Sequence, residues 1–179
     1  MTMKGKNYYR LGREFFIRDV LEVAPELPGK VIVIKRADGK YSSYRITDVE
    51  AYRGSDDLAC HASRGRTKRT EIMYHQGGHL YVFLIYGMYW MLNIVTGQEN
   101  EPQAVLIRGV SGVDGPGRVA REMGISGEWY GIDLTSQDTI FLEDSGERVP
   151  LSTSPRIGID FAGEPWVSKQ WRFYIPVVL

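Results

Sequence analysis

Alternating hydrophobic and polar positions predict short strands joined by tight turns, with few helices. Residues 12–24, GREFFIRDVLEVA, combine good helix formers with clustered apolar positions, and Pro25 is expected to end this helix. The segments 30–36 and 41–52 have the composition of strands. Asp38-Gly39 lies between them and supplies turn residues, so the two strands should form a β-hairpin.

The rest of the chain continues this pattern. Residues 53–70 are polar and lack periodicity, which predicts a loop with one helical turn. Hairpins outnumber any strand-helix-strand pattern, so the fold should be α+β with mostly antiparallel pairing. The remaining expected elements are two strands in 80–96 broken at Gly87, strands at 103–110, 155–161 and 170–179, and a Gly/Pro turn leading into a short helix at 112–125.

The apolar run 80–96, LYVFLIYGMYWMLNIVT, lies near the lower length limit for a membrane span, which is about 17–25 residues. Its aromatic residues, Gly87 and Asn93 favour a buried β segment instead, so no membrane association is expected. The polar start of the chain and the single cysteine, Cys60, favour a cytoplasmic location.

The net charge and the charge distribution point in opposite directions on whether the protein binds nucleic acid. The formal net charge is +0, whereas proteins that bind duplex DNA usually carry a basic face. Four cations nevertheless crowd into the string RGRTKR. This cluster is either a nucleic-acid contact or an ordinary solvated loop, and it comprises Arg64, Arg66, Lys68 and Arg69.

The segment TDVEAYRG holds the first candidate for catalysis. In a strand, Asp48, Glu50 and Tyr52 share one face, opposite Val49 and Ala51. A carboxylate beside an aromatic wall suits general-base activation of water, because partial desolvation raises its pKa. The alternative is an exposed strand face with ordinary acids.

Other polar and aromatic positions allow several roles. His61 suits a hydrogen bond to a base edge, a metal ligand or a plain loop residue, but one cysteine and no familiar ligand spacing disfavour a metal site. Tyr86 directly precedes Gly87, so at a hairpin tip it would project as a wedge able to unstack a base step. Arg118, beside a helix start, could meet a DNA phosphate.

Read together, these strings resemble the alkyladenine (3-methyladenine) DNA glycosylase family, the purine glycosylases without a helix-hairpin-helix. The resemblance covers residues 15–175. It rests on the strings DVEAYRGSDDLACHASRGRTKRTEIM, GGHLYVFLIYGMYWMLNIV, AVLIRG, GPGRVAREMGI, PRIGI and WRFYI. It implies that Glu50 deprotonates the attacking water and that Arg108 helps to hold that water.

The resemblance also implies a pocket for a flipped purine. Tyr52 would stack on the base, His61 would hydrogen-bond its edge, and Asn93 would crowd the purine 2-position. Tyr86 would fill the gap that the extruded nucleotide leaves. Phe83 stands where the family usually has tyrosine, so it keeps the stacking face without the hydroxyl.

The implied activity is hydrolysis of the N-glycosidic bond of alkylated or deaminated purines, such as 3-methyladenine, 7-methylguanine, hypoxanthine and ethenoadenine. No metal and no cofactor are expected, and the partner is double-stranded DNA bound by a monomer, in a bacterial cytoplasm near the nucleoid. Two alternatives are a non-catalytic module that binds damaged DNA and a carbohydrate-active hydrolase. The latter would need a second acid across the sugar, and Asp48 lies on the same face as Glu50.

Pattern and resemblance together predict one α+β domain over residues 1–179, with a curved, mostly antiparallel sheet, a protruding β-hairpin and surrounding short helices. Three further departures from the family, like Phe83, concern substrate range rather than reaction class. Asp48 stands where glutamate is commoner, GVSG follows Arg108 in place of an Ala-Leu-Glu-Pro-like string, and the chain stops at IPVVL.

Overall fold

One long strand, β3 (Tyr41–Arg53), organises the sheet of the computed structural model, which describes residues 7–176. Its first half pairs with β2 (Val31–Lys35), as the predicted hairpin requires. Its second half pairs with β6 (Gln103–Val110) on one side and with β10 (Arg172–Tyr174) on the other. Strand β3 therefore pairs with three other strands and joins the two halves of the sheet.

The remaining strands extend the sheet at both ends, and the strand pairings within residues 7–176 are all antiparallel. These strands are β1 (Tyr9–Arg10), β4 (Leu80–Ile85), β5 (Tyr89–Thr96), β7 (Val113–Asp114), β8 (Ile140–Asp144) and β9 (Ser152–Ser154). The main strand order is β1-β8-β2-β3-β6-β5-β4, with β9 against β10 and β7 against β6.

Helices are short, and they pack against this sheet. The predicted helix at 12–24 is two helices, α1 (Arg13–Phe16) and α2 (Val20–Glu26), because the Asp19 side chain accepts a hydrogen bond from Leu21 N–H and caps α2 anew. Pro25 lies inside α2 rather than ending it. Short 3₁₀ turns span His61–Arg64, Glu71–Tyr74, Gly127–Trp129 and Asp160–Ala162.

The third helix, α3 (Pro116–Met123), follows the predicted Gly/Pro turn. Pro116 suits the first helical turn, where its missing N–H has no partner to lose. Gly124 ends the helix in the left-handed region, at φ 71°, and its N–H bonds back to the last turn. The helix packs on β5 and β6 and buries Val119, Ala120 and Met123.

The expectations for the C-terminal part of the chain were partly wrong. Residues 155–161 form a loop and the start of a 3₁₀ turn, and the strand in this region is β9, which lies just before them. Strand β8 was not predicted, because it pairs with β2 from more than a hundred residues away and has no hairpin partner of its own. The expected strand at 170–179 is the short β10, and residues 177–179 lie outside the described range.

Apolar residues of the sheet and helices form the main core, which includes Phe16, Val20, Val49, Ile107 and Met123. Together these elements confirm an α+β fold with an open, curved and mostly antiparallel sheet. The apolar run 80–96 forms the strands β4 and β5, and within residues 7–176 no helix is long and apolar enough to cross a membrane.

An ion pair lies inside the protein beside the end of β3. Arg156 donates to both carboxylate oxygens of Asp57, at 2.6 and 2.9 Å, and both side chains have 0% exposure. Arg156 also donates to the backbone oxygen of Ala51 at 3.0 Å. A buried pair of this kind holds its two segments together only while both charges are present.

We expect Arg156→Leu to lower the free energy of unfolding by about 3–5 kcal/mol, because it leaves the Asp57 carboxylate buried without its counter-charge. Urea unfolding measures the change, and Lys40→Ala, which removes a cation from an exposed pair, is the control with little effect. Equal stability of Arg156→Leu and the unchanged protein would contradict this account.

Candidate active site

The carboxylate of Glu50 is fully buried in β3 and has three polar contacts. The Tyr52 hydroxyl donates to Oε2 at 2.8 Å, and the Ile157 backbone N–H donates to Oε1 at 2.7 Å. Arg108 Nη1 lies 3.4 Å from Oε1. The alternative that Glu50 is an ordinary exposed acid is therefore wrong.

Burial raises the pKa of Glu50, and the Arg108 charge, the Ile157 N–H and the Tyr52 hydroxyl partly oppose that rise. The same burial, together with the Glu50 charge, raises the pKa of Tyr52 well above its ordinary value, so its hydroxyl keeps its proton and donates. Glu50 is thus a carboxylate with a fixed orientation, and its burial increases its basicity.

A cavity of about 230 Å³ lies directly in front of these groups. Glu50 does not line it, but all three residues that contact Glu50 do. The wall is largely aromatic and aliphatic, with few polar groups, as expected of a site for a flat ligand. The lining residues include Tyr52, Cys60, His61, Tyr81, Phe83, Tyr86, Met91, Asn93, Leu106, Arg108, Ile157, Ile159 and Phe161.

His61 begins a 3₁₀ turn at one side of the cavity. Its Nδ1 lies 2.8 Å from the Tyr81 hydroxyl, and its ring meets Phe83 edge-on at 4.7 Å between centroids. Burial, with the positive charges of Arg69 and Arg64, lowers the pKa of His61 to about 4. The imidazole is therefore neutral at physiological pH, with one ring nitrogen as donor and the other as acceptor.

Strands β4 and β5 supply the floor. Tyr81 and Phe83 alternate onto the cavity face of β4, and Met91 and Asn93 do so on β5, because side chains two apart share a face. The buried Asn93 amide donates to the Tyr81 backbone oxygen at 3.1 Å, so its orientation is set by the strand itself. The expected pocket residues therefore come together.

Tyr86 stands at the tip of the β4–β5 hairpin and at the mouth of the cavity. Tyr86 and Gly87 both have positive φ, at 53° and 68°, which is the backbone of a tight hairpin turn. The Tyr86 side chain is 85% exposed. An aromatic side chain held this way projects from the molecule.

The basic residues predicted to meet DNA divide into two groups. Arg64, Lys68 and Arg118 are exposed and make no ion pair within residues 7–176. Arg66 pairs with Glu71 at 2.6 Å, and the Arg69 guanidinium lies 4.8 Å above the Phe83 ring. Two of the four cations in RGRTKR, Arg66 and Arg69, thus already have partners within the protein. Arg118 lies on α3, outside this string.

Sequence reasoning gave no role to the segment 155–161, which carries Ile157, Ile159 and Phe161 on the cavity wall. The string PRIGI was noticed, but a strand was expected there. Cys60 and Tyr81 were also missed as lining residues. Within residues 7–176, no group of three or more His, Cys, Asp or Glu is arranged to hold a metal ion.

Comparison with known proteins matches this chain to one family. The methylpurine-DNA glycosylase family model aligns with residues 14–115 and 112–177. The chain belongs to that family. The expected family is therefore confirmed, and with it the enzyme class, a hydrolytic DNA glycosylase.

Relatives from distant microorganisms resemble this glycosylase over most of their length. A protein of Rickettsia felis is 43% identical over 176 residues, 94% of each chain. One from Clostridium novyi is 40% identical over 93% of this chain and 94% of its own. One from Methanocella arvoryzae is 39% identical over 92% of this chain and 91% of its own. All three are provisionally named 3-methyladenine DNA glycosylase.

We expect the His61 ring to stay neutral until the pH approaches 4. Its folded pKa lies below the unfolded value of 6.5, so its contribution to stability is complete above that value and is lost as the pH falls toward 4. Titration of the histidine ring protons by NMR, assigned with His61→Gln, measures this. A midpoint near 6.5 would contradict it.

Proposed function

We propose that this glycosylase hydrolyses the N-glycosidic bond of alkylated or deaminated purines flipped out of duplex DNA, with Glu50 as the general base. The supporting observation is that every group in contact with the Glu50 carboxylate also lines the aromatic cavity. A purine in that cavity would bring its sugar close to Glu50, which lies directly behind the three lining residues that contact it. The carbohydrate-hydrolase alternative would need a second acid across the sugar, and the cavity lining contains no aspartate or glutamate.

The chemistry follows from the hydrogen bonds that Glu50 already holds. Each carboxylate oxygen accepts one hydrogen bond from Tyr52 or Ile157, which leaves lone pairs free for a water molecule. The water oxygen attacks the sugar C1′, its proton passes to Glu50, and the C1′–N bond electrons leave with the purine. The ionised carboxylate also stabilises positive charge on the sugar in the transition state.

Arg108 would help to hold the water. Its Nη1 is near enough to Glu50 Oε1 for charge attraction, and the residue lines the cavity. For purines alkylated at N3 or N7, this reaction needs no metal and no cofactor, because the alkylation already makes the purine a good leaving group.

The cavity wall would select the base. Tyr52, His61 and Phe83 present rings that can enclose a flat purine, and the buried Asn93 sits in the floor between them. Neutral His61 offers one nitrogen toward a base edge without adding charge. Asn93 would crowd a 2-amino group and so disfavour normal guanine.

Contact with the duplex would come from residues around the mouth. Tyr86 would fill the space of the extruded nucleotide. Arg64, Lys68 and Arg118 would pair with phosphates, whereas Arg66 and Arg69 would have to leave their present partners. Binding as a monomer stays a prediction.

We expect Glu50→Gln to slow base release by at least about 100-fold, because an amide cannot accept the proton of water, while lesion binding is retained. Single-turnover release from duplexes carrying 3-methyladenine, 7-methylguanine, hypoxanthine or ethenoadenine measures both the loss and the substrate range. Glu22→Gln, at an exposed acid on α2, is the control with full activity. Undiminished release by Glu50→Gln would overturn the assignment.

We expect Tyr86→Ser to reduce the preference for lesion-containing over intact duplex roughly tenfold, because an aromatic stack on the flanking bases is lost. Equilibrium binding to matched duplexes measures the ratio. Tyr41→Ser removes another exposed tyrosine, which lies on β3 away from the hairpin tip, and should leave the ratio unchanged. An unaltered ratio in Tyr86→Ser would remove Tyr86 from the interface.

A further inference from the structure

The pairing of β3 with β6 is irregular at one place, which lies beside Glu50, the candidate general base. Ile46 pairs with Val110 and Val49 with Ile107, and this regular register would set Asp48 directly opposite Arg108. Asp48 pairs with Gly109 instead, which leaves Thr47 unpaired on β3 and Arg108 unpaired on β6. Paired bulges of this kind redirect side chains, and they are common near active sites.

Gly109 lies where the two strands approach closely at this irregularity. A Cβ on Gly109 would lie 2.9 Å from Thr47 Oγ1 and 3.0 Å from the Asp48 Cβ. Both distances are shorter than side chains tolerate without moving. The irregularity is therefore built into the packing rather than being a loose end of the sheet.

Arg172 of the neighbouring strand β10 fastens Asp48. Its Nε donates to both carboxylate oxygens, at 3.0 and 3.1 Å, and its Nη2 donates to Oδ2 at 2.8 Å. Asp48 and Arg172 have side chains only 14% and 25% exposed, so solvent weakens this contact little. Asp48 is thus held on its Arg172 side.

Arg108 occupies the other side of Asp48 with a weaker contact. Its Nε lies 3.8 Å from Asp48 Oδ2, is buried and has no hydrogen-bond partner. Its Nη1 lies 3.4 Å from Glu50. A buried N–H without a hydrogen-bond partner costs free energy. The Arg108 guanidinium therefore carries unused hydrogen-bonding capacity, and it lies near both acids without a full hydrogen bond to either.

We propose that Asp48, fastened by Arg172, is a positioning residue that holds the Arg108 guanidinium beside Glu50 and leaves it free to bind the attacking water. This inference rests on the proposed function of Glu50. Asp48 does not line the cavity, so it acts through Arg108 and not on the DNA.

Electrostatics gives this arrangement a measurable signature. The charged groups that face Glu50 are Asp48 from its own strand, Arg108 from β6 and Arg172 from β10, and the Tyr52 hydroxyl also faces it. The Asp48 charge raises the pKa of Glu50. The attraction between Arg172 and Glu50 lowers it, since the same interaction raises the pKa of Arg172.

The test is the pH dependence of single-turnover base release by the full chain. Glu50 must be ionised to act, so the rate falls on the acid side as Glu50 is protonated. Asp48→Asn should slow release roughly tenfold and move this acid limb to lower pH, because a negative charge near Glu50 is lost. Affinity for lesion duplex should stay unchanged.

Two further variants separate positioning from folding. Arg172→Met should move the acid limb to higher pH, opposite to Asp48→Asn, because it removes a positive charge near Glu50. Asp48→Glu keeps the charge and should keep the limb in place, with release within about threefold of the unchanged enzyme. Asp138→Asn, at an exposed acid paired with Arg10, is the control with no change.

The position of the limb does not depend on how much protein is folded, so a loss of folded protein alone would slow release in both variants without moving it. Unmoved limbs in Asp48→Asn and Arg172→Met would therefore overturn the proposal. If Asp48→Asn does not fold, the direction in which Arg172→Met moves the acid limb of the pH–rate profile tests the proposal by itself. Full activity of Glu50→Gln, measured in parallel, would instead overturn the proposed function.

Discussion

The ion pair between Arg156 and Asp57 is the contact on which the candidate site depends. The Arg156 guanidinium carbon lies 4.8 Å from the Tyr52 ring and 5.0 Å from the Trp171 ring, so two aromatic side chains pack on the same buried cation, and one of them, Tyr52, lines the cavity. The next residue along the chain is Ile157, whose N–H reaches Glu50. Because Arg156 is anchored, the neighbouring Ile157 N–H is held where it donates to Glu50, the candidate general base. The same segment forms one wall of the cavity.

The burial of the ionised Glu50 carboxylate lowers the stability of the folded protein at neutral pH. Its pKa is raised in the folded protein, so its protonated form is favoured by folding and its ionised form is not. The contribution to stability is therefore present below the unfolded pKa of 4.5 and lost as the pH rises through the folded value. At neutral pH the carboxylate is a destabilising group that its three polar partners make tolerable, which is typical of a residue kept for chemistry.

The rigid cavity and the exposed mouth differ in how they are built. Tyr81 and Asn93 of the floor are nearly inaccessible and are held by strand pairing and by the Asn93 hydrogen bond. Tyr86 and Phe161 at the rim are exposed by 85% and 70%. The interior of the cavity is thus fixed by strand pairing, whereas its rim is open to solvent, and this division suits the proposed binding of a purine inside and of DNA outside.

Local sequence determined those parts whose signals lie close together along the chain. Alternation placed Val49 and Ala51 in the core, Gly87 marked the β4–β5 turn, Pro116 and Gly124 bounded α3, and the long strings around Glu50 and Tyr86 gave the family. Only the tertiary structure decided the rest. Strand β8, the loop at 155–161 and the Asp48–Arg172 contact have no local signal, because their partners lie on distant strands; Arg156 and Asp57 are 99 residues apart.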